Sequence, residues 1–181
     1  MTCIIAYKEN GKSYIAGDRM GSNGWTKIRS NTPKIFKKDS FLFGYTSTFR
    51  MGQILEHELI IPKRKVDQTL ENYVYTDLIY KIRTCFKDNG YGCKPTDAVS
   101  EKAGNFIFIL EGRIFEVQND FSVLEHEEFC SIGSGEAHAH AALEVLKSLK
   151  RYSPKEKLKK AMSIVAKFVV SVTEECDVLS N

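Results

Sequence analysis

The chain has 181 residues, of which 43% are hydrophobic and 27% charged, with a net charge of +3. That length suits one domain over residues 1–181 with a sizeable core, and so small a positive charge gives no reason to expect nucleic acid as a partner. No apolar run approaches the roughly 18–20 residues of a membrane span, so no membrane is expected; five cysteines without C-x-x-C spacing, behind no secretory leader, read as a reduced cytoplasmic protein.

The opening residues, Thr2-Cys3-Ile4-Ile5-Ala6-Tyr7, form an apolar, β-prone run. A turn at Glu9-Asn10-Gly11 follows, then a second such run, Ser13-Tyr14-Ile15-Ala16-Gly17-Asp18. Asn-Gly between two such runs is a strong hairpin signal, and it draws the start of the chain into a sheet. Residues 19–31 are polar, with the sole tryptophan at Trp25, and read as loop with one short strand. Pro33 to Lys38 and Phe41 to Tyr45, around Asp39-Ser40, suggest a second hairpin. Thr46, Ser47 and Thr48 offer capping hydroxyls to a helix whose stripe is Met51, Ile54, Leu55 and Leu59, ended by Pro62. Asp67 is placed to cap the next helix, in which Leu70, Val74, Leu78 and Ile82 recur every four residues.

Residues 106–110, 113–117 and 121–124 read as three strands joined by tight turns, and 129–132 as a shorter one that runs into Gly133-Ser134-Gly135. Ala137 to Leu149 predicts a third helix, and Ser153-Pro154 opens a fourth with Leu158, Ala161, Met162, Val165, Val169 and Val172 as its stripe. The order is strands, two helices, strands, two helices. Two antiparallel sheets packed face to face, with helices outside both, would bury all four stripes: an α+β fold arranged αββα. The basic groups Lys63-Arg64-Lys65 and Lys155, Lys157, Lys159 and Lys160 read as solvated faces.

Chemistry concentrates at Thr2. Were Met1 removed, the new terminus would carry a hydroxyl beside an α-amine whose reference pKa is about 7.7–8.0, so one residue would supply nucleophile and base. A nearby ammonium lowers that amine's pKa and favours the alkoxide; Lys34 can serve, with Asp18 as its ion-pair partner. Taken alone, Lys34 reads as an ordinary surface lysine and Thr2 as an ordinary second residue, because most lysines are exposed. Gly44, ending an apolar strand before a helix, is a candidate oxyanion donor through its N–H, or a plain strand-to-helix glycine. Ser134 either approaches Thr2 or caps the following helix. His138 and His140, two apart on a helix, are poorly placed to share a metal, and His57 and His126 have no evident partner. There is no P-loop or dinucleotide fingerprint, and neither cofactor nor metal is expected.

Together these positions resemble the proteasome β-subunit family, in particular its simpler HslV branch, within the N-terminal nucleophile (Ntn) hydrolases. The likeness spans nearly the whole chain in element order. It is most specific at Thr2-Cys3-Ile4-Ile5-Ala6 and Ile15-Ala16-Gly17-Asp18, which are similar to the family's Thr-x-(apolar) opening and its apolar-Ala-Gly-Asp motif. The resemblance implies Thr2 as nucleophile, Asp18 and Lys34 as the pair that tunes it, the Gly44 N–H as oxyanion donor and Ser134 beside the terminal amine. It also implies a threonine endopeptidase acting on unfolded polypeptide inside a homo-oligomeric ring fed by an ATPase unfoldase. The chain departs from the family at Tyr45-Thr46-Ser47, where small residues are usual, and at Phe168, near the place of a family acid, with Ser171 standing for the hydroxyl residue after it. The rival readings are an Ntn amidase acting on small amides and a non-catalytic ring or interaction subunit that keeps Met1.

Overall fold

A computed structural model describes residues 2–23, 25–92 and 103–181. Met1, Gly24 and Cys93 lie outside these. The first hairpin forms as the sequence predicts. Strand β1 (Cys3–Glu9) pairs antiparallel with β2 (Lys12–Asp18), with Ile4 opposite Gly17 and Glu9 opposite Lys12. Asn10 and Gly11 turn the chain with φ of 53° and 75°, the pair of positive angles that matches the right-handed twist of the flanking strands. The second hairpin joins β5 (Ile35–Lys38) to β6 (Phe41–Tyr45).

Two antiparallel sheets carry the fold. The first has the order β10-β1-β2-β11, where β10 is Phe129–Gly133 and β11 is Cys176–Ser180. The second has the order β5-β6-β7-β8-β9, with β7 at Phe106–Leu110, β8 at Arg113–Val117 and β9 at Val123–His126. The N-terminal strand therefore lies in the interior of its sheet, paired on one side with β10 and on the other with β2. The closing strand β11 pairs along β2, with Cys176 opposite Asp18.

Three apolar clusters show what packs on what. Ile4, Ala6 and Ile15 of the first sheet meet Ile35, Leu42, Ile107, Ile109 and Ile114 of the second. The outer face of the first sheet, with Cys3, Ile5, Tyr7 and Ala16, lies against helices α4 (Glu136–Leu146) and α5 (Pro154–Phe168). The outer face of the second sheet, rich in phenylalanine, lies against α1 (Phe49–Gln53), α2 (Leu70–Tyr73) and α3 (Ile79–Asp88), whose stripes are those read from the sequence. Wide π-helical turns, Ile54–Glu58 and Val74–Leu78, extend α1 and join α2 to α3. Ser153 and Glu156 form a reciprocal capping box on α5, with Pro154 in its first turn.

Several local expectations need correction. Residues 19–31 hold two short strands, β3 (Met20–Ser22) and β4 (Lys27–Arg29), which pair with each other. Thr69, not Asp67, caps α2 through its side chain, which accepts from the Asn72 N–H. The strand expected at 121–124 starts later, at Val123, because Phe121 takes φ 68°, which no strand tolerates. Lys157, assigned to a solvated face, is 1% exposed. Its ammonium donates to Glu9 Oε1 at 2.6 Å and to the Lys147 carbonyl at 3.1 Å, so a charge that should stay wet is buried with full pairing.

Candidate active site

Thr2 immediately precedes β1 and is 5% exposed. Three elements converge on it. From the end of β2, Asp18 is fully buried and accepts four hydrogen bonds. Its Oδ1 takes the Cys3 N–H at 2.9 Å and the Lys34 ammonium at 3.0 Å; its Oδ2 takes the Met20 N–H at 3.0 Å and the same ammonium at 3.1 Å. The carboxylate thus ties the start of β1 to the lysine. Lys34, just ahead of β5, is 3% exposed, so the surface reading of this residue is set aside. Burial pulls its ammonium below the ordinary lysine range, against the opposing pull of Asp18.

The third element is the turn between β10 and α4. The Ser134 hydroxyl lies 3.2 Å from the Thr2 nitrogen, which donates to it, and 3.3 Å from the Thr2 carbonyl. It is also 2.8 Å from the buried Ser171 hydroxyl. Ser134 does not cap α4; Gly135 holds that position without a side-chain bond. Gly133 permits the approach. It takes φ 98°, and a Cβ there would sit 2.3 Å from the Thr2 carbonyl oxygen.

Gly44 is placed differently from its expected role. The Tyr45 N–H donates to the Lys34 carbonyl, so by strand alternation the Gly44 N–H faces the opposite neighbour, β7, where Gly44 stands across from Ile107. A Cβ on Gly44 would lie 2.6 Å from Ile4 and 2.8 Å from Ile15. Gly44 lets the two sheets close on each other, and its N–H belongs to the sheet ladder rather than to a free oxyanion donor. Beyond β6 the chain turns along the cleft. Ser47 takes φ 67°, an uncommon value for a residue with a side chain, and its N–H has no acceptor among the described residues.

Thr2 and Lys34 open into one cleft of about 90 Å³, walled by Met20, Gly21, Ser22 and the run Tyr45 to Phe49. The Tyr45 hydroxyl donates to the Pro33 carbonyl at 3.2 Å, which fixes that wall. Beside the site, Arg19 grips Asp177 of β11 with two bonds of 2.6 and 2.8 Å, a link the sequence pattern did not suggest. Phe168 is 69% exposed and stacks on His138, well outside this polar group. The other site members missed from the sequence are Ser47, whose backbone angle leaves no pattern, and the walls from Met20 to Ser22 and from Thr46 to Phe49.

This combination of two antiparallel sheets, flanking helices and an interior N-terminal strand is a proteasome-like fold of the HslV type. BPH from Thiobacillus denitrificans superposes with a TM-score of 0.84 at 16% identity, over 99% of this chain and 97% of that one. The same protein in complex with Epoxomicin gives 0.83 at 17% identity, over 99% and 98%. HslV from Trypanosoma brucei gives 0.69 at 20% identity, over 99% and 98%. No family model matches the sequence, and no curated protein matches it. Among the described residues no helix is long and apolar enough to cross a membrane.

Proposed function

We propose that this chain is a threonine-type endopeptidase of the Ntn hydrolases: one αββα domain over 1–181, active once Met1 is removed. The observation that carries the reading is the placement of Thr2. Its nitrogen lies 3.2 Å from the Ser134 hydroxyl, and its cleft is shared with an ammonium clamped by Asp18. With Met1 gone that nitrogen is an amine. It takes the hydroxyl proton as Oγ1 attacks a peptide carbonyl, then delivers the proton to the leaving amine; water hydrolyses the resulting ester. Lys34 keeps the amine unprotonated by charge repulsion, and Ser134, backed by Ser171, relays its proton. The oxyanion role assigned to Gly44 in the sequence passes to the Ser47 N–H, which has no acceptor among the described residues and belongs to the run that walls the cleft.

The substrate in this reading is unfolded polypeptide, the setting a cytoplasmic homo-oligomeric ring, and an ATPase unfoldase the supplier. Self-assembly draws support from apolar surface near the cleft: Trp25, 97% exposed, and Val170, 79% exposed, share a shallow cavity with Met20 and Ser171. The test joins intact mass to activity. We expect the purified protein to lack one methionine mass, to cleave casein and to gain one Epoxomicin adduct. Thr2→Ala should lose both cleavage and adduct. A retained Met1 with no cleavage would move the non-catalytic subunit to first place; cleavage of small amides alone would favour the amidase.

A further inference from the structure

Away from the cleft, a second polar group sits where the two sheets meet. Glu116 of β8, His126 of β9 and Cys130 of β10 each offer one ligand atom, and these atoms all lie within 4.8 Å of one another. His126 Nε2 is 2.9 Å from Glu116 Oε2, and the Cys130 thiol donates to the same oxygen at 3.6 Å. The three come from strands consecutive in the chain, β8 and β9 of the second sheet and β10 of the first, with β9 and β10 each at an edge of its own sheet. The group is therefore made by the crossover itself. Cys130 is fully buried, while the His126 and Glu116 side chains keep 25% and 13% exposure, which leaves one side of the group open to solvent.

We propose that Glu116, His126 and Cys130 form a zinc site. The donor set of one thiolate, one imidazole and one carboxylate suits Zn²⁺ better than the hard cations, which take oxygen ligands alone. At ordinary zinc bond lengths, tetrahedral ligand atoms stand roughly 3.3–3.6 Å apart, so the sulfur-to-carboxylate spacing already fits, the histidine must withdraw from the carboxylate by about half an ångström, and the histidine and sulfur, within 4.8 Å of each other, must settle into the same range. Three protein ligands leave the fourth position, on the exposed side, to water. On binding, the Cys130 thiol gives one proton to solvent. His126 binds through Nε2 as the neutral imidazole, with its proton on Nδ1. Thiolate and carboxylate together balance the +2 charge, which offsets the burial that otherwise holds the Cys130 thiol protonated. The metal would also fasten the two sheets at this edge. The inference is independent of the hydrolase reading.

The test uses the full chain, stripped with a chelator and gel-filtered, then titrated with Zn²⁺ and with Co²⁺. We expect one equivalent of zinc to be taken up with a rise in the thermal midpoint, and Co²⁺ to produce a thiolate-to-metal charge-transfer band in the near ultraviolet. Cys130→Ser should abolish the band. His126→Gln, at a partly exposed position, should fold normally and bind zinc more than about tenfold more weakly. Absence of stoichiometric uptake by the unaltered chain would overturn the proposal. So would unchanged zinc affinity in His126→Gln, or a full cobalt band in Cys130→Ser. Should Cys130→Ser fail to fold, His126→Gln decides alone.

Discussion

Asp18 and Lys34 illustrate how a pair of buried charges is sustained. The carboxylate has two backbone N–H groups and both prongs of an ammonium contact, so no oxygen is left without a donor. Removing the cation alone leaves a buried anion with half its partners. Lys34→Met should lower stability by about 3 kcal/mol, measured by denaturant unfolding, as well as abolishing the proposed peptidase activity. An unchanged midpoint would mean that the pair is not the anchor of β1. At this scale Thr2, Asp18, Lys34 and Ser134 were legible because residue type and order along the chain carry the information. Gly44 was misread: a glycine at a strand end looks the same whether it serves a substrate or lets two sheets touch. Ser47 left no mark, since its backbone angle is imposed by the chain around it. His126 was passed over for want of a partner, and the one it has, Glu116, is supplied by tertiary structure.

The elements were legible where their period was plain. The Asn10-Gly11 hairpin, the helical stripes and the hairpin at Glu111-Gly112 follow from pattern and turn chemistry, except that α5 ends at Phe168, ahead of the Val169 and Val172 read into its stripe. Boundaries that depend on one backbone angle or one cap, such as Phe121 and Thr69, were not. The contact between α1 and β6 shows the same dependence on a single residue. A Cβ on Gly52 would lie 2.1 Å from the Tyr45 ring, so the helix sits on the strand only because that position is bare. Gly52→Ala should displace Tyr45, costing about 1–3 kcal/mol in stability and shifting the KM for peptide substrates, since Tyr45 walls the cleft. Melting curves and steady-state kinetics on one preparation would check both. A variant as stable as the parent with the same KM would show that the wall can move freely.

Taken whole, the molecule buries groups that resist ionisation. Burial pushes the Cys3 thiol up to about 12, Cys176 to about 11, and the Tyr45 and Tyr73 hydroxyls to about 12. The unfolded chain ionises its thiols near 8.5 and its tyrosines near 10. Between those values and the folded ones the native state holds more protons, so stability falls as pH rises. Lys34, with its lowered value, acts in the opposite sense just below its unfolded pKa, but four groups outweigh one. Thermal midpoints should decline steadily from about pH 9 to 12, and the tyrosinate absorbance of Tyr45 and Tyr73, isolated as the difference from Tyr45→Phe and Tyr73→Phe, should appear only with unfolding, since exposed rings such as Tyr80 add their own signal. Ionisation of either of those two rings in a still-folded protein would contradict that burial. The antiparallel sheets and the helices beside them were legible, because a one-sided helix needs a surface to cover; the second polar group at the sheet crossover was not, because strand order is no property of local sequence.

The burial of Thr2 has a consequence for timing. A methionine aminopeptidase has to draw the Met1–Thr2 bond into its own active site, and in the folded chain Thr2 is buried at the head of β1, hydrogen-bonded through its own nitrogen and carbonyl. On the proposed function, maturation is then a race between excision and folding, won on the ribosome or lost. Refolded Met1-bearing protein should resist the aminopeptidase while the same chain in urea yields to it, so that cells short of the enzyme would accumulate a folded and permanently silent population.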